Sequence, residues 1–260
     1  LKYSPGSFSV LSLFTLAACG GGGGGTKTNA SLDSGTINGA VIKGPVQDAI
    51  AFIDADGDGL LNTATEAYAF TNSDGSYSID SSVSGDIVVI TDNSKVVGGA
   101  LSVSAVDTSS GSALTGVTLK APAGASVVTP TTTLVTELGG NASAVADALG
   151  LSGVDLLNYN PYADGVSATD ATALAVEKIQ TQIVTTVKAM AAAAEGQGVA
   201  AESAAATAFG SIATIVATKS AAAPLDFTNT ADIDAVVTQA STDLSASITA
   251  VGGNAANFTT

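Results

Sequence analysis

The sequence predicts an α+β protein in which an N-terminal antiparallel β-sandwich precedes a C-terminal Ala-rich helical bundle. Three observations carry that reading. From residue 36 to about 129, short runs of Val, Ile, Thr and Tyr are separated by clusters of Gly, Asp, Asn and Ser. After Pro130 the pattern becomes Ala-rich, with apolar residues three or four apart and few turn residues within a segment. The chain is 46% hydrophobic but only 5% aromatic, so its core must be built from Ala, Val, Ile and Leu. Of its 260 residues, those beyond the first 35 suffice for two modest domains, 36–129 and 130–260.

The strands predicted in order are 36–43, 46–54, 67–72, 76–80, 86–91, 100–106 and 114–120, a spacing that suits a sandwich. Between the third and fourth, Asn72-Ser73-Asp74-Gly75 signals a hairpin, because Asp-Gly accepts the positive φ of a tight turn. Pro45, after Gly44, marks another turn or the start of an edge strand. Beyond Pro130 a short helix is expected over 131–138, ending at Gly139-Gly140. A second is capped by Asn141 and stopped by Gly150. Residues 156–164, with Pro161, read as a loop. Three longer helices follow, over 169–195, 199–220 and 230–251. Their stripes are Val176/Ile179/Ile183/Val187/Met190, Ala205/Phe209/Ile212/Val216 and Ile233/Val237/Ala240/Leu244/Ile248. Helices of this length can bundle, and they carry too few lysines for surface-lying membrane helices. Because the period changes near Pro130, the two regions are expected to be separable folding units, with a protease-sensitive junction over 121–133.

Charge and missing residue types exclude whole classes of function. The formal net charge is −15, from 23 acidic residues against 8 basic ones. Every basic residue is lysine, and no cluster of them exists to track a phosphate backbone, so nucleic acid is not a partner. The absence of His removes Ser-His-Asp and Cys-His catalysis and all His-ligated metal sites. With no Arg, no G-x-S-x-G and no S-x-x-K, the chain reads as non-enzymatic.

The single cysteine cannot form an internal disulfide, and its position explains it. Residues 8–18 form an uncharged run of signal-peptide length, preceded by Lys2 and closed by Leu16-Ala17-Ala18-Cys19. This stretch resembles a bacterial lipoprotein signal. The resemblance implies cleavage of residues 1–18, a diacylglycerol thioether on Cys19, and anchoring in the membrane through the lipid. The glycines at 20–25 and the polar residues to 35 would form a flexible tether reaching about 20 Å from the membrane. Gly20 stands where the resemblance would place an inner-membrane retention aspartate, which implies the outer membrane or cell surface.

One constellation carries chemistry. Asp54, Asp56 and Asp58 alternate along the chain, and Gly59 follows at the sixth position of the loop. Such spacing curls carboxylates around one hard cation, with the Leu60 carbonyl at the seventh position and Asn62 at the ninth reaching the ion directly or through water. Leu61 is then an inward-pointing anchor. The expected ion is Ca²⁺, since Mg²⁺ retains more of its water. The pattern resembles the calcium loops of EF-hands and dockerins, with one departure: the acid of the twelfth position is replaced by Thr65, and Glu66 follows. Either a one-residue bulge lets Glu66 close the site, or the site stays open.

Residues 36–120 also resemble the carboxypeptidase regulatory-like and Cna-B/SdrD-B-type sandwich modules of bacterial surface proteins. The residues that carry this are Val46-Gln47-Asp48-Ala49-Ile50-Ala51-Phe52-Ile53-Asp54 and Thr71-Asn72-Ser73-Asp74-Gly75-Ser76-Tyr77-Ser78-Ile79. The stretch from Leu119 through Thr129-Pro130-Thr131-Thr132-Thr133-Leu134-Val135 is similar to a junction in such proteins that leads into helices. These resemblances imply a surface lipoprotein serving adhesion or structure, with a protein or glycan partner at the cell surface. An alternative is an outer-membrane accessory that captures glycans or nutrients, although sugar stacking usually recruits Trp and this chain has none.

Overall fold

The computed structural model describes residues 35–99 and 101–258. The predicted signal peptide, Cys19 and residues 20–34 of the tether lie outside the described residues. The α+β order holds, with strands first and helices after. The strands are β1 (Gly35–Val41), β2 (Val46–Gln47), β3 (Ile50–Asp54), β4 (Leu61–Asn62), β5 (Tyr68–Phe70), β6 (Ser76–Ser81), β7 (Asp86–Ile90), β8 (Val96–Val97), β9 (Val106–Asp107), β10 (Ser112–Ala113), β11 (Thr118–Ala121) and β12 (Val127–Val128). They form a four-stranded sheet ordered β11-β7-β3-β5, two three-stranded sheets ordered β12-β1-β6 and β10-β9-β2, and the pair β4-β8.

Several local expectations change. The single strand expected over 46–54 is broken into β2 and β3 by Asp48, a non-glycine residue held at φ +57°. Of the strand expected over 100–106, only Val106 is extended in a ladder; Ala100 lies outside the described residues, and 101–105 form no strand. The turn at 72–75 forms, closed by the Asn72 N–H to the Ser76 carbonyl at 2.9 Å. It is not a hairpin within one sheet, because β5 joins the four-stranded sheet whereas β6 pairs with β1 from Gly35↔Ser81 to Ala40↔Ser76. Gly75, at φ +80°, sits against the backbone of Val41 and Val46, where no side chain fits. Turn chemistry was readable from sequence, but the partner of each strand was not. Two pairings are also parallel, β1 with β12 and β4 with β8, contrary to a wholly antiparallel arrangement.

The helices are α1 (Pro130–Glu137), α2 (Ala142–Ala148), α3 (Ala171–Glu195), α4 (Ala201–Val216) and α5 (Thr230–Ala250). Side-chain caps fix four of their starts. Thr129 makes a capping box with Thr132, and Asn141, Asp170 and Asn229 accept the first free N–H groups of α2, α3 and α5. Helix α4 has no side-chain cap. The predicted stripes are buried at Val176, Ile183, Val187 and Met190 on α3, at Ala205, Phe209, Ile212 and Val216 on α4, and at Ala240, Leu244 and Ile248 on α5. Among the described residues no helix is long and apolar enough to cross a membrane.

Residues 35–99 and 101–258 fall in one compact unit, and a continuous apolar core runs through it from Val41 to Phe258. This departs from the expected pair of separable units. The change of period at Pro130 is not a break in packing, because α1 lies against β11 and buries Leu134 and Val135 in the same core as Leu119 and Val128. Strand β3 is covered on both faces. Ala51 and Ile53 join the main core, while Ile50 and Phe52 join a smaller cluster with Leu61, Val88 and Ile90. Leu61 ties the acidic loop to that second cluster.

Candidate metal centre

The acidic loop leaves the end of β3 and returns in β4, so one end is fixed by a central strand of the four-stranded sheet. Leu61 is fully buried in the smaller cluster, as expected of the eighth loop position. Between these anchors the loop folds around its own carboxylates. Asp54 Oδ1 accepts the Gly57 N–H at 2.8 Å and Oδ2 the Gly59 N–H at 3.0 Å. Asp56 Oδ1 accepts from the Asp58 N–H at 3.3 Å and Asp58 Oδ1 from the Leu60 N–H at 2.7 Å. Gly57 and Gly59 stand at φ +78° and +70°, the left-handed region that lets the chain reverse this tightly.

One carboxylate oxygen from each of Asp54, Asp56 and Asp58 comes within 4.8 Å of the others. Asp54 is half-buried, and the other two are exposed. Three such groups could share one cation, whose charge would relieve their mutual repulsion. Glu66 is buried against the loop. Its Oε1 accepts the Ala55 N–H at 3.1 Å and its Oε2 the Asn62 N–H at 2.8 Å, which clamps the two ends of the loop together. The turn that brings Glu66 rather than Thr65 to the loop is closed by the Glu66 N–H to the Asn62 carbonyl at 2.9 Å. The Asn62 side-chain oxygen accepts from the Ala64 N–H at 3.1 Å. Leu60, whose carbonyl is the expected seventh-position donor, is half-buried.

The loop opens onto a depression of about 250 Å³ lined also by Asp86, Lys95, Lys120 and Thr136. Asp86 faces Asp54 directly across the β3–β7 ladder, so a fourth carboxylate adjoins the loop, while the Lys120 ammonium on its rim is paired with Glu137 Oε1 at 2.9 Å. Sequence spacing alone could not reveal these neighbours, because they come from β7, the turn before β8, β11 and α1.

A second polar cluster also escaped the sequence reading. Lys43 Nζ lies 2.8 Å from Asp107 Oδ2, and Asp107 Oδ1 accepts from Ser109 Oγ at 2.6 Å and the Ser109 N–H at 2.9 Å. Burial alone would raise the Asp107 pKa, but the Lys43 ammonium and the serine donors outweigh it and hold the carboxyl below its usual range. Nearby, the Tyr162 hydroxyl donates to Glu177 Oε1 at 2.8 Å. Burial and that carboxylate push the phenol up to about 12. Lys43 and Asp107 are 64 residues apart, and no local signal joins them.

These features define an α+β protein whose only cluster of three or more acidic side chains suited to a metal, among the described residues, is the loop after β3. No family model, no curated protein and no solved structure matches this chain.

Proposed function

We propose that this chain is a non-enzymatic lipoprotein of the outer membrane or cell surface, anchored through Cys19. In this reading the strand region is a β-sandwich module stabilised by Ca²⁺, the helices form a bundle, and together they serve adhesion or envelope structure toward a protein or glycan partner. The observation that carries the calcium part is the convergence of the Asp54, Asp56 and Asp58 carboxylates within 4.8 Å. The loop is already bent by its glycines and clamped by Glu66, so an ion would find its ligands largely in place and little ordering cost would offset binding. Asp54, Asp56 and Asp58 are the primary ligands in this reading, with the Leu60 carbonyl and Asn62 completing the shell and Glu66 bracing it. The non-enzymatic part rests on a sequence without His or Arg.

The test is thermal unfolding of the full chain in EGTA and then in millimolar calcium. A ligand bound only by the folded state adds about 2.7 kcal/mol when it is a hundredfold above its Kd, and extracellular calcium modules are commonly tuned to about 10⁻⁴–10⁻³ M. Melting should therefore rise with calcium, and the rise should vanish in Asp56→Ala/Asp58→Ala. Unchanged melting together with no heat in a calorimetric titration would reduce the loop to an acidic turn.

A further inference from the structure

The threonine run at 129 and 131–133 has no part in the metal reading, yet its side chains are almost wholly buried. Among the described residues, strand β11 closes one end of the four-stranded sheet, with β7 on one side of it only. In an antiparallel ladder, alternate residues turn their N–H and C=O toward the partner strand and away from it. Lys120 turns them away. Its N–H donates to Thr133 Oγ1 at 2.9 Å, and its carbonyl accepts from Thr132 Oγ1 at 2.7 Å. Thr132 Oγ1 in turn accepts the Thr129 N–H at 2.8 Å, which fastens these contacts to the start of α1.

We propose that Thr132 and Thr133 act as an edge guard, taking the backbone positions of β11 that another strand would use and denying that strand to a second copy of this chain. An open sheet edge is a template for strand addition. Apolar packing of Leu134 and Val135 would cover β11 but satisfy neither group of Lys120, whereas a hydroxyl can both donate and accept. The second copy is the partner this edge fits. Antiparallel pairing of β11 with itself about Leu119 sets Thr118 opposite Lys120, so no like charges face each other, and the contact is two-fold symmetric. The opposite edge of the sheet, β5, spans only Tyr68–Phe70, and its shortness limits pairing there.

The test uses the full chain with Thr133→Val, Thr132→Val/Thr133→Val and Thr133→Ser, followed by amide exchange at Lys120 and by sedimentation velocity over a range of concentrations. Exchange at Lys120 should quicken about fivefold to tenfold in Thr133→Val, the equivalent of one neutral hydrogen bond, and return to the parent rate in Thr133→Ser. The double variant should form a concentration-dependent dimer that disappears when Thr118→Pro removes an outward N–H from the same edge. Should the double variant not fold, Thr133→Val carries both measurements. Unchanged exchange at Lys120, a folded variant that stays monomeric, or a dimer indifferent to Thr118→Pro would each overturn the proposal.

Discussion

Replacing Lys43 by Met should destabilise the protein in a way that depends on pH. The lysine stem and the Met side chain fill similar space, so the substitution removes the ammonium and little else. Asp107 is then left with its side chain only 2% exposed and its charge unpaired. Breaking a buried pair in this way typically costs about 3–5 kcal/mol. Two features lower the figure here: Lys43 is 17% exposed, and the serine donors remain on Oδ1. About 2 kcal/mol at pH 7 follows, or roughly 4–8 °C in Tm for a unit of this size. The Asp107 pKa is depressed in the folded chain, so its stabilisation is complete above the unfolded value of about 3.9 and is lost as pH falls through the lower folded value. Lys43→Met removes much of that depression, so the gap between parent and variant should be widest near neutrality and narrow below about pH 3.9. Thermal melts of both proteins at pH 7, 4 and 3 measure this directly. A gap of constant size at every pH would assign the effect to packing, and no gap at pH 7 would show that the ion pair contributes nothing.

Two further outcomes test the tether and the joint between strands and helices. Limited proteolysis should spare residues 121–133, because Ala121, Ala125, Val127 and Val128 are buried and the Ser126 and Val127 N–H groups both donate to the Leu157 carbonyl. Two stable fragments from an early cut in this stretch would restore the picture of independent halves. Labelling with an alkyne fatty acid should mark the parent and leave Cys19→Ser both unlabelled and free of membranes; label on both, or on neither, would remove the anchor from the account.

The long helices were the most legible part of the fold. An apolar stripe with a period near 3.6 needs only one partner surface, and the residues that formed the stripes on α3, α4 and α5 are largely the ones buried. Caps were legible for the same local reason, as at Asn141, whose side chain accepts from the Ala144 N–H at 3.2 Å. The acidic loop could be read because its alternating carboxylates and glycines act within a few residues of one another. Strand boundaries were harder. Pieces such as β4, β8 and β12 span only two residues each, and they extend because a distant strand holds them, with little pattern of their own.

The sequence by itself therefore determined the order of strands and helices, the helical faces that are buried, and the turn that gathers Asp54, Asp56 and Asp58. These follow from interactions among residues close along the chain. Only the tertiary structure decided that β5 and β6 part company at Gly75, that Asp86 and Lys120 border the acidic loop, that Lys43 meets Asp107, and that a threonine run fastens α1 to the edge of β11. Each of these depends on which distant segments pack together, a choice made by burial over the whole core, and a local pattern carries no record of its partner.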